Sequence, residues 1–253
     1  MKVDKKYYTV QDPETLKLMF QHIQESEIIA IDTETDSLNM RKGKIVGWSI
    51  SGDEGVGFYI PTLLWDFEKN KLQVQTIMGE STEVISKNLL KMLKGKKLVM
   101  HNASFDCRFI KNYFGVDLLE DLWVDTALLV HTVQEEGAGM GVFGLKPLAI
   151  SVQEAIGLDV EKAANEEQIE LKESIKKNGG EVTKNNFEIY KADLEILSKY
   201  ASADTDLTLR LCNHFLKVLK EEKLEKFFFE EEVMPIYREV TIPMENYGVD
   251  LDM

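Results

Sequence analysis

A short apolar run that ends in two acidic residues places the strongest constraint on the fold of this 253-residue chain. Residues 28–31 read Ile-Ile-Ala-Ile, a composition typical of a buried strand. Asp32 and Glu34 follow, and because residues i and i+2 of an extended chain point to the same side, both carboxylates face one point. Their mutual repulsion and desolvation are relieved by a hard divalent cation bound through oxygen. The alternative is a strand end followed by a solvated acidic turn.

An EF-hand calcium loop does not explain these acids. Asp32, Glu34 and Asp36 match the opening of such a loop, which requires glycine at its sixth position and glutamate at its twelfth. Those positions hold Ser37 and Gly43. The EF-hand interpretation therefore fails.

Composition restricts the class of protein. Hydrophobic residues make up 44% of the chain, which permits a large core. No apolar run approaches the ~20 residues of a membrane span, and the first residues lack the apolar stretch of a secretory signal. Two cysteines, Cys107 and Cys212, are too few for a disulfide framework or a zinc knuckle. We therefore expect a cytoplasmic protein with no membrane partner, and a monomer.

The net charge of −14 argues against a self-sufficient nucleic-acid-binding protein, because phosphate affinity normally depends on clustered Lys and Arg. It argues less strongly against an enzyme that meets phosphate through bound metal ions, which can reverse the local charge. Most of the affinity for such a substrate would then come from elsewhere.

The remaining pattern predicts an α/β chain. Further strands are predicted at residues 44–50, 56–60 and 97–101, helices begin near Asp12, Ser81, Asn102 and Asp125, and a short helix pair is predicted at residues 145–156. The glycine-rich residues 137–141 predict a mobile loop. Residues 161–186 are rich in Glu, Lys and Asn, which indicates either a solvated helix and loop or a partly disordered insertion.

Two of the predicted helices carry acids in informative positions. Asp106 lies in the first turn of a helix that we predict for residues 102–110, where stabilisation of the helix dipole is a sufficient explanation by itself. Asp204 lies within an apolar stripe that steps by three or four residues from Leu197 to Leu219. A charge on that face must be paired or bound to metal, unless the helix is misphased and Asp204 is exposed. Tyr200 lies one turn earlier on the same face.

Three motifs in order resemble the exonuclease motifs of the DEDD superfamily. They are Asp-Thr-Glu-Thr-Asp-Ser-Leu at residues 32–38, His-Asn-Ala-Ser-Phe-Asp at residues 101–106 and Tyr-Ala-Ser-Ala-Asp at residues 200–204. The last is similar to the motif of the tyrosine subgroup, and the run as a whole resembles the proofreading domain of family A DNA polymerases. The resemblance covers about residues 8–219. It implies a 3′–5′ exonuclease domain at residues 1–220 and a helical connector at residues 221–253 that leads into a polymerase domain missing here.

The resemblance implies a ribonuclease-H-like fold, an α/β fold with a mixed sheet and helices on both faces. It implies hydrolysis of the terminal phosphodiester of a single-stranded or frayed DNA 3′ end, with release of nucleoside monophosphates. Asp32, Glu34, Asp106 and Asp204 would hold two divalent ions, Mg²⁺ or Mn²⁺. Tyr200 would orient the attacking water, since a phenol is a poor general base at neutral pH.

Three further residues are candidates for substrate contacts. Leu38 would wedge against the terminal base, Phe105 would stack on a base, and Asn102 would donate to phosphate or sugar. For each of them a structural role in the core or as a cap remains open. Two other functions also remain open: an exoribonuclease of the RNase D type, and a silent exonuclease-fold module that supports a polymerase.

Overall fold

The computed structural model describes residues 5–134, 143–183 and 186–248. The strands are β1 (Lys6–Thr9), β2 (Ile28–Thr35), β3 (Ile45–Ser51), β4 (Val56–Pro61), β5 (Leu63–Asp66), β6 (Lys71–Val74), β7 (Thr76–Ile77), β8 (Glu80–Ser81), β9 (Lys97–Met100) and β10 (Leu122–Asp125). The helices are α1 (Pro13–Glu25), α2 (Thr82–Met92), α3 (Ala103–Phe114), α4 (Thr126–Val133), α5 (Leu145–Ser151), α6 (Gln153–Ile156), α7 (Val160–Lys177), α8 (Leu194–Glu221), α9 (Val233–Ile236) and α10 (Ile242–Tyr247). The predicted glycine-rich loop at residues 137–141 lies outside the described residues.

Six strands form one mixed sheet in the order β1-β4-β3-β2-β9-β10. The central strand β2 pairs antiparallel with β3 and parallel with β9, while β1 and β10 extend the two sides in parallel. The strands predicted at residues 44–50 and 56–60 are present as β3 and β4, which pair antiparallel. In the β2–β3 pair the register shifts between Glu34 and Thr35, where β3 contributes one extra residue.

The register of β2 places helices on both faces of the sheet. Asp32 pairs with Ser49, whose hydroxyl donates to the carbonyl of Ala201 in α8 at 2.9 Å. Thr33 points to the opposite face, because side chains alternate along a strand, and there its hydroxyl contacts Asp106 of α3. Helices α8 and α3 therefore cover opposite faces, as the predicted fold requires.

The polar segment at residues 161–186 is helical over most of its described length. Leu171 and Ile175 of α7 are buried in a small cluster with Tyr59 and Leu197. Of the two alternatives from sequence, the described residues support the helix and loop. The predicted helix pair at residues 145–156 is also present, as α5 and α6.

The C-terminal segment, which we define as residues 222–248, packs onto the same core as the sheet. Phe228, Met234 and Ile242 are each no more than 1% exposed and belong to the main hydrophobic cluster. The predicted boundary at residue 220 stays a prediction, and the last five residues of the predicted connector lie outside the described part. Within that part, none of the helices has the length and apolar character that crossing a membrane requires.

Candidate active site

Three elements bring the four predicted acids together. Asp32 and Glu34 lie on β2, Asp106 lies in the first turn of α3, and Asp204 lies in the middle of α8. Burial raises the pKa of Asp32 well above its usual range, and the charges of Asp106, Glu34 and Asp204 raise it further. Burial and then the charge of Asp204 raise the pKa of Glu34 to about 8. The four carboxylates, which we call the acidic site, therefore share one electrostatic environment.

Asp106 is tied directly to the strand that carries the first two acids. Its Oδ1 accepts hydrogen bonds from the backbone N–H of Thr33 at 2.9 Å and from the Thr33 hydroxyl at 2.5 Å. Burial raises the pKa of Asp106 to about 7, and the two bonds from Thr33 oppose that increase. Asp106 therefore does more than stabilise a helix dipole, since it fixes α3 against β2.

Asp204 is core-facing, as the apolar stripe predicts, and a cation from another helix approaches it. The ammonium nitrogen of Lys146, in α5, lies 3.2 Å from Oδ1 of Asp204 and 3.6 Å from the centre of the Tyr200 ring. Burial raises the pKa of Asp204, and the charge of Lys146 opposes the increase. The sequence offers no cation on the Asp204 face of α8, and Lys146 was missed because it lies 58 residues earlier in the chain.

Tyr200 lies within hydrogen-bonding reach of Asp204, as expected from its position one turn earlier. The charge of Asp204 is the largest cause of a strongly raised pKa for Tyr200, followed by burial. The phenol therefore stays protonated at neutral pH, which suits a hydrogen-bonding role and excludes action as a general base.

A cavity of about 660 Å³ opens beside the acidic site. Leu38 and Phe105 contribute to its wall, and Leu38 is 78% exposed. The sequence did not predict that Asn186, Phe187 and Ile189 also contribute to this wall. They lie at and just after the end of the polar segment and outside the three motifs.

Asn102 occupies the N-cap position directly before α3. It lies in the left-handed region, with φ 61° and no hydrogen bond from its side chain to the helix. It is exposed and is not part of the described lining of the cavity. A left-handed conformation is uncommon outside glycine, and asparagine is among the residues that adopt it most readily.

Tyr59 is a further residue near the acids that the sequence did not reveal. Gly47 pairs with Glu34, and a Cβ at Gly47 would lie 2.0 Å from the Tyr59 hydroxyl oxygen, so that the glycine makes room for this phenol. Burial raises the pKa of Tyr59, and the charges of Glu34 and Asp32 add to the effect. The phenol therefore lies close to two of the four acids.

Comparison with known proteins identifies the family. Residues 7–220 match the model of a 3′–5′ exonuclease family of DNA polymerases. The chain belongs to the 3′–5′ exonuclease family of family A DNA polymerases. This exonuclease is 30% identical over 249 residues to DNA polymerase I of Borreliella burgdorferi, an alignment covering 98% of this chain and 23% of the polymerase. It is 29% identical to the DNA polymerase of Escherichia phage T5, an alignment covering 88% of this chain and 24% of the polymerase. The chain spans about a quarter of the length of both relatives.

Solved structures support the ribonuclease-H-like fold of this exonuclease. Escherichia coli RNase D, an exoribonuclease involved in structured RNA processing, is 14% identical with a TM-score of 0.56, covering 97% of this chain and 52% of that one. Brucella melitensis NrnC with bound Mg²⁺ is 16% identical with a TM-score of 0.54, covering 98% of each chain. At these identities the likeness concerns the fold alone.

The donor set of this exonuclease fits divalent cations, which members of its family use. As placed, no three His, Cys, Asp or Glu side chains within residues 5–134, 143–183 and 186–248 are arranged to hold a metal ion. The site nevertheless presents oxygen donors only, which suit Mg²⁺ and Mn²⁺. Oδ1 of Asp204 is buried, and the Lys146 ammonium lies 3.2 Å from it without ideal hydrogen-bond geometry. Because the charges of neighbouring acids raise the pKa of Asp32 and of Glu34, a bound cation would relieve this repulsion.

Proposed function

We propose that this exonuclease removes nucleoside monophosphates from DNA 3′ ends, as the proofreading domain of a family A DNA polymerase. One observation carries the proposal: four buried acids, of which Asp32 and Glu34 have pKa values raised by the charges of neighbouring acids, lie beside Tyr200 and a cavity of about 660 Å³. Preference for DNA is supported by the two polymerase relatives, which align with most of this chain.

The chemistry assigns a role to each residue of the site. Asp32, Glu34, Asp106 and Asp204 would hold two divalent ions, which when bound would lower the pKa of the attacking water and stabilise the leaving 3′ oxygen. Tyr200, which keeps its proton, would orient that water. Leu38 and Phe105 would contact the terminal bases, where stacking tolerates any sequence, and the exposed Asn102 would donate to phosphate or sugar.

The proposal extends to the rest of the polymerase. We assign residues 1–220 to the exonuclease domain and residues 221–253 to a connector toward a polymerase domain in cis. The relatives, which are polymerases about four times the length of the alignment, support this assignment. They belong to a bacterium and a phage, which favours action in the cytoplasm.

An exoribonuclease is the second candidate function. Its support is the likeness of the fold to Escherichia coli RNase D, an exoribonuclease. A silent module is less well supported, because such modules commonly lose their acids and all four are present here.

Substitution of single acids tests the proposed function. Asp32→Ala and Asp204→Ala should abolish Mn²⁺-dependent release of nucleotides from a 5′-labelled oligonucleotide, while circular dichroism and melting temperature show a retained fold. Asp53→Ala, at an exposed position, is the matched control. Activity of Asp32→Ala equal to that of the control would contradict the site. Matched DNA and RNA oligonucleotides, digested in parallel by the wild type, decide between the two nuclease functions.

A further inference from the structure

The helix that carries Asp106 begins without a cap from its own sequence. The first N–H groups of a helix have no partner within the helix and must bond elsewhere. Asn102 provides no side-chain bond. Instead, Asp125 accepts from the backbone N–H of Asn102 at 3.1 Å and of Ala103 at 2.7 Å. The start of α3 therefore depends on residues from other elements.

Tyr237 supplies the next bond. Its hydroxyl accepts from the backbone N–H of Ser104 at 2.9 Å and donates to Oδ2 of Asp125 at 2.8 Å. Ser104 is 8% exposed, so that water has little access to replace the missing partner. One phenol from the C-terminal segment thus links both the helix start and the carboxylate that caps it.

A second set of contacts holds the same segment to α3. Glu245 accepts from the hydroxyl of Ser104, and its carboxylate lies 3.3 Å from Nη1 of Arg108. Arg108 also donates to the backbone carbonyl of Glu245 at 2.8 Å. Both partners, Ser104 and Arg108, lie within two residues of Asp106.

The C-terminal segment also reaches the loop that follows β2. The guanidinium of Arg41 lies 3.4 Å from the carbonyl oxygens of Asn246 and Tyr247. That loop, residues 36–44, carries Leu38 on the wall of the cavity. The segment therefore touches both α3 and one wall of the proposed substrate cavity.

We propose that Tyr237 is a positioning residue of the exonuclease site, whose hydroxyl fixes the first turn of α3 and thereby the place of Asp106 beside Asp32. The inference rests on the proposed function of the acidic site. Asp106 lies two residues beyond Ser104, within the same turn, and a displaced helix start moves its carboxylate relative to β2. The described hydrogen bonds of the Tyr237 hydroxyl go to Ser104 and Asp125, so that its effect on Asp106 passes through these two residues.

Tyr237→Phe in the full chain tests this role, with Tyr113→Phe as the matched control. Tyr113 lies near the far end of α3, and its hydroxyl bonds to Glu83 rather than to the helix start. Loss of a hydrogen bond made directly to a metal ligand costs about 10–100-fold in metal affinity or activity. Because Tyr237 acts on Asp106 only through Ser104 and Asp125, Tyr237→Phe should weaken calorimetric Mn²⁺ binding or lower kcat by about the lower end of that range. The KM for the oligonucleotide should stay unchanged, and Tyr113→Phe should show neither effect.

Amide hydrogen exchange provides a readout that needs neither metal nor activity. In Tyr237→Phe the first turn of α3 should exchange faster, while the last turn keeps the protection of the wild type. Values for Mn²⁺ affinity, kcat and exchange that all equal those of Tyr113→Phe would overturn the proposal. Absence of Mn²⁺-dependent cleavage by the wild type would refute the proposed function. In that case the positioning role is tested by hydrogen exchange alone, and it is refuted if the first turn of α3 exchanges in Tyr237→Phe at the rate of the wild type. Should Tyr237→Phe fail to fold, Glu245→Gln replaces it with the same expected direction of change.

Discussion

The carboxylates of the acidic site destabilise the protein in the absence of a cation. Glu34 is 8% exposed, and its neighbours and burial raise its pKa from 4.5 to about 8. Lys146 offsets part of this repulsion, because its charge lowers the pKa of Glu34 and of Asp204. The repulsion that Lys146 does not offset lowers the free energy of unfolding, as is common at sites shaped for binding and not for stability.

Replacement of Glu34 by Gln should therefore stabilise the metal-free protein at alkaline pH. Between pH 4.5 and about 8 the folded protein keeps a proton on Glu34 that the unfolded chain releases, so the free energy of unfolding falls as the pH rises. One unit of pKa shift corresponds to about 1.4 kcal/mol, and we expect Glu34→Gln to gain about 1 kcal/mol or more at pH 8 in EDTA.

Urea unfolding at pH 5 and pH 8 measures this gain. The exposed Glu25→Gln is the control, and it should follow the pH dependence of the wild type. Equal pH dependence of Glu34→Gln and the control would contradict the raised pKa.

Short-range periodicity sets the direction of three of the four acids, whereas Asp106 was assigned only through the resemblance of its motif. Asp32 and Glu34 are two apart on a strand, and Tyr200 and Asp204 are four apart on a helix, so each pair shares a face. Lys146 carries no such signal, because its contact with Asp204 arises only when α5 packs beside α8. Tyr59 could not be predicted either, because its approach to Glu34 arises only when three strands pair.

At the scale of elements, the placement of α8 on the sheet depends on a glycine in β4. A Cβ on Gly57 would lie 2.8 Å from Cβ of Ser202 and 3.0 Å from its carbonyl oxygen, both in α8. Such distances require the helix or the strand to move. Because Asp204 lies two residues beyond Ser202, the close contact also sets the distance of this acid from β2.

Gly57→Ala should displace α8 from the sheet. Overpacking of this kind costs about 1–3 kcal/mol, and we expect a lower melting temperature together with weaker Mn²⁺ binding. The double variant with Ser202→Gly removes one of the two clashing atoms. Its decrease in the free energy of unfolding should therefore be smaller than the sum of the decreases of the two single variants. Strict additivity in thermal unfolding would argue against direct contact between the two positions.

Local signals predicted most of the longer elements and missed several of the shorter ones. Asp12 caps α1 with proline at the next position, which is why the start of that helix was evident in the sequence. The hairpin of β5 and β6 and the edge strand β10 are four residues each and were not predicted. Strands this short form because partners are available in the fold, and their own sequences contain little periodicity.

At the scale of the whole molecule, the C-terminal segment belongs to the folded core. Phe228, Met234 and Ile242 are almost completely buried against it, although sequence resemblance places a domain boundary at residue 220. The resemblance depends on the three exonuclease motifs, which all lie before residue 220. Burial of the later residues depends on their contacts with the core, and the motifs contain no information about these contacts.

A chain that ends at residue 226 should therefore be less stable than the full chain. Burial of one large apolar side chain contributes about 1.5–3 kcal/mol, and three such side chains are lost, so we expect a decrease of several kcal/mol in the free energy of unfolding. Denaturant unfolding of both chains measures the difference. Equal stability would instead support an independent domain that ends at residue 220.

The shift in register after Glu34 has a consequence for engineering. The extra residue in β3 separates the paired part of β2, which holds Asp32, from the loop at residues 36–44. Surface loops tolerate changes of length better than strands do. Loops transplanted from the polymerase relatives should thus alter the wall around Leu38 while the pairing of β2 persists, which makes this loop a suitable target for libraries selected for new substrate preferences.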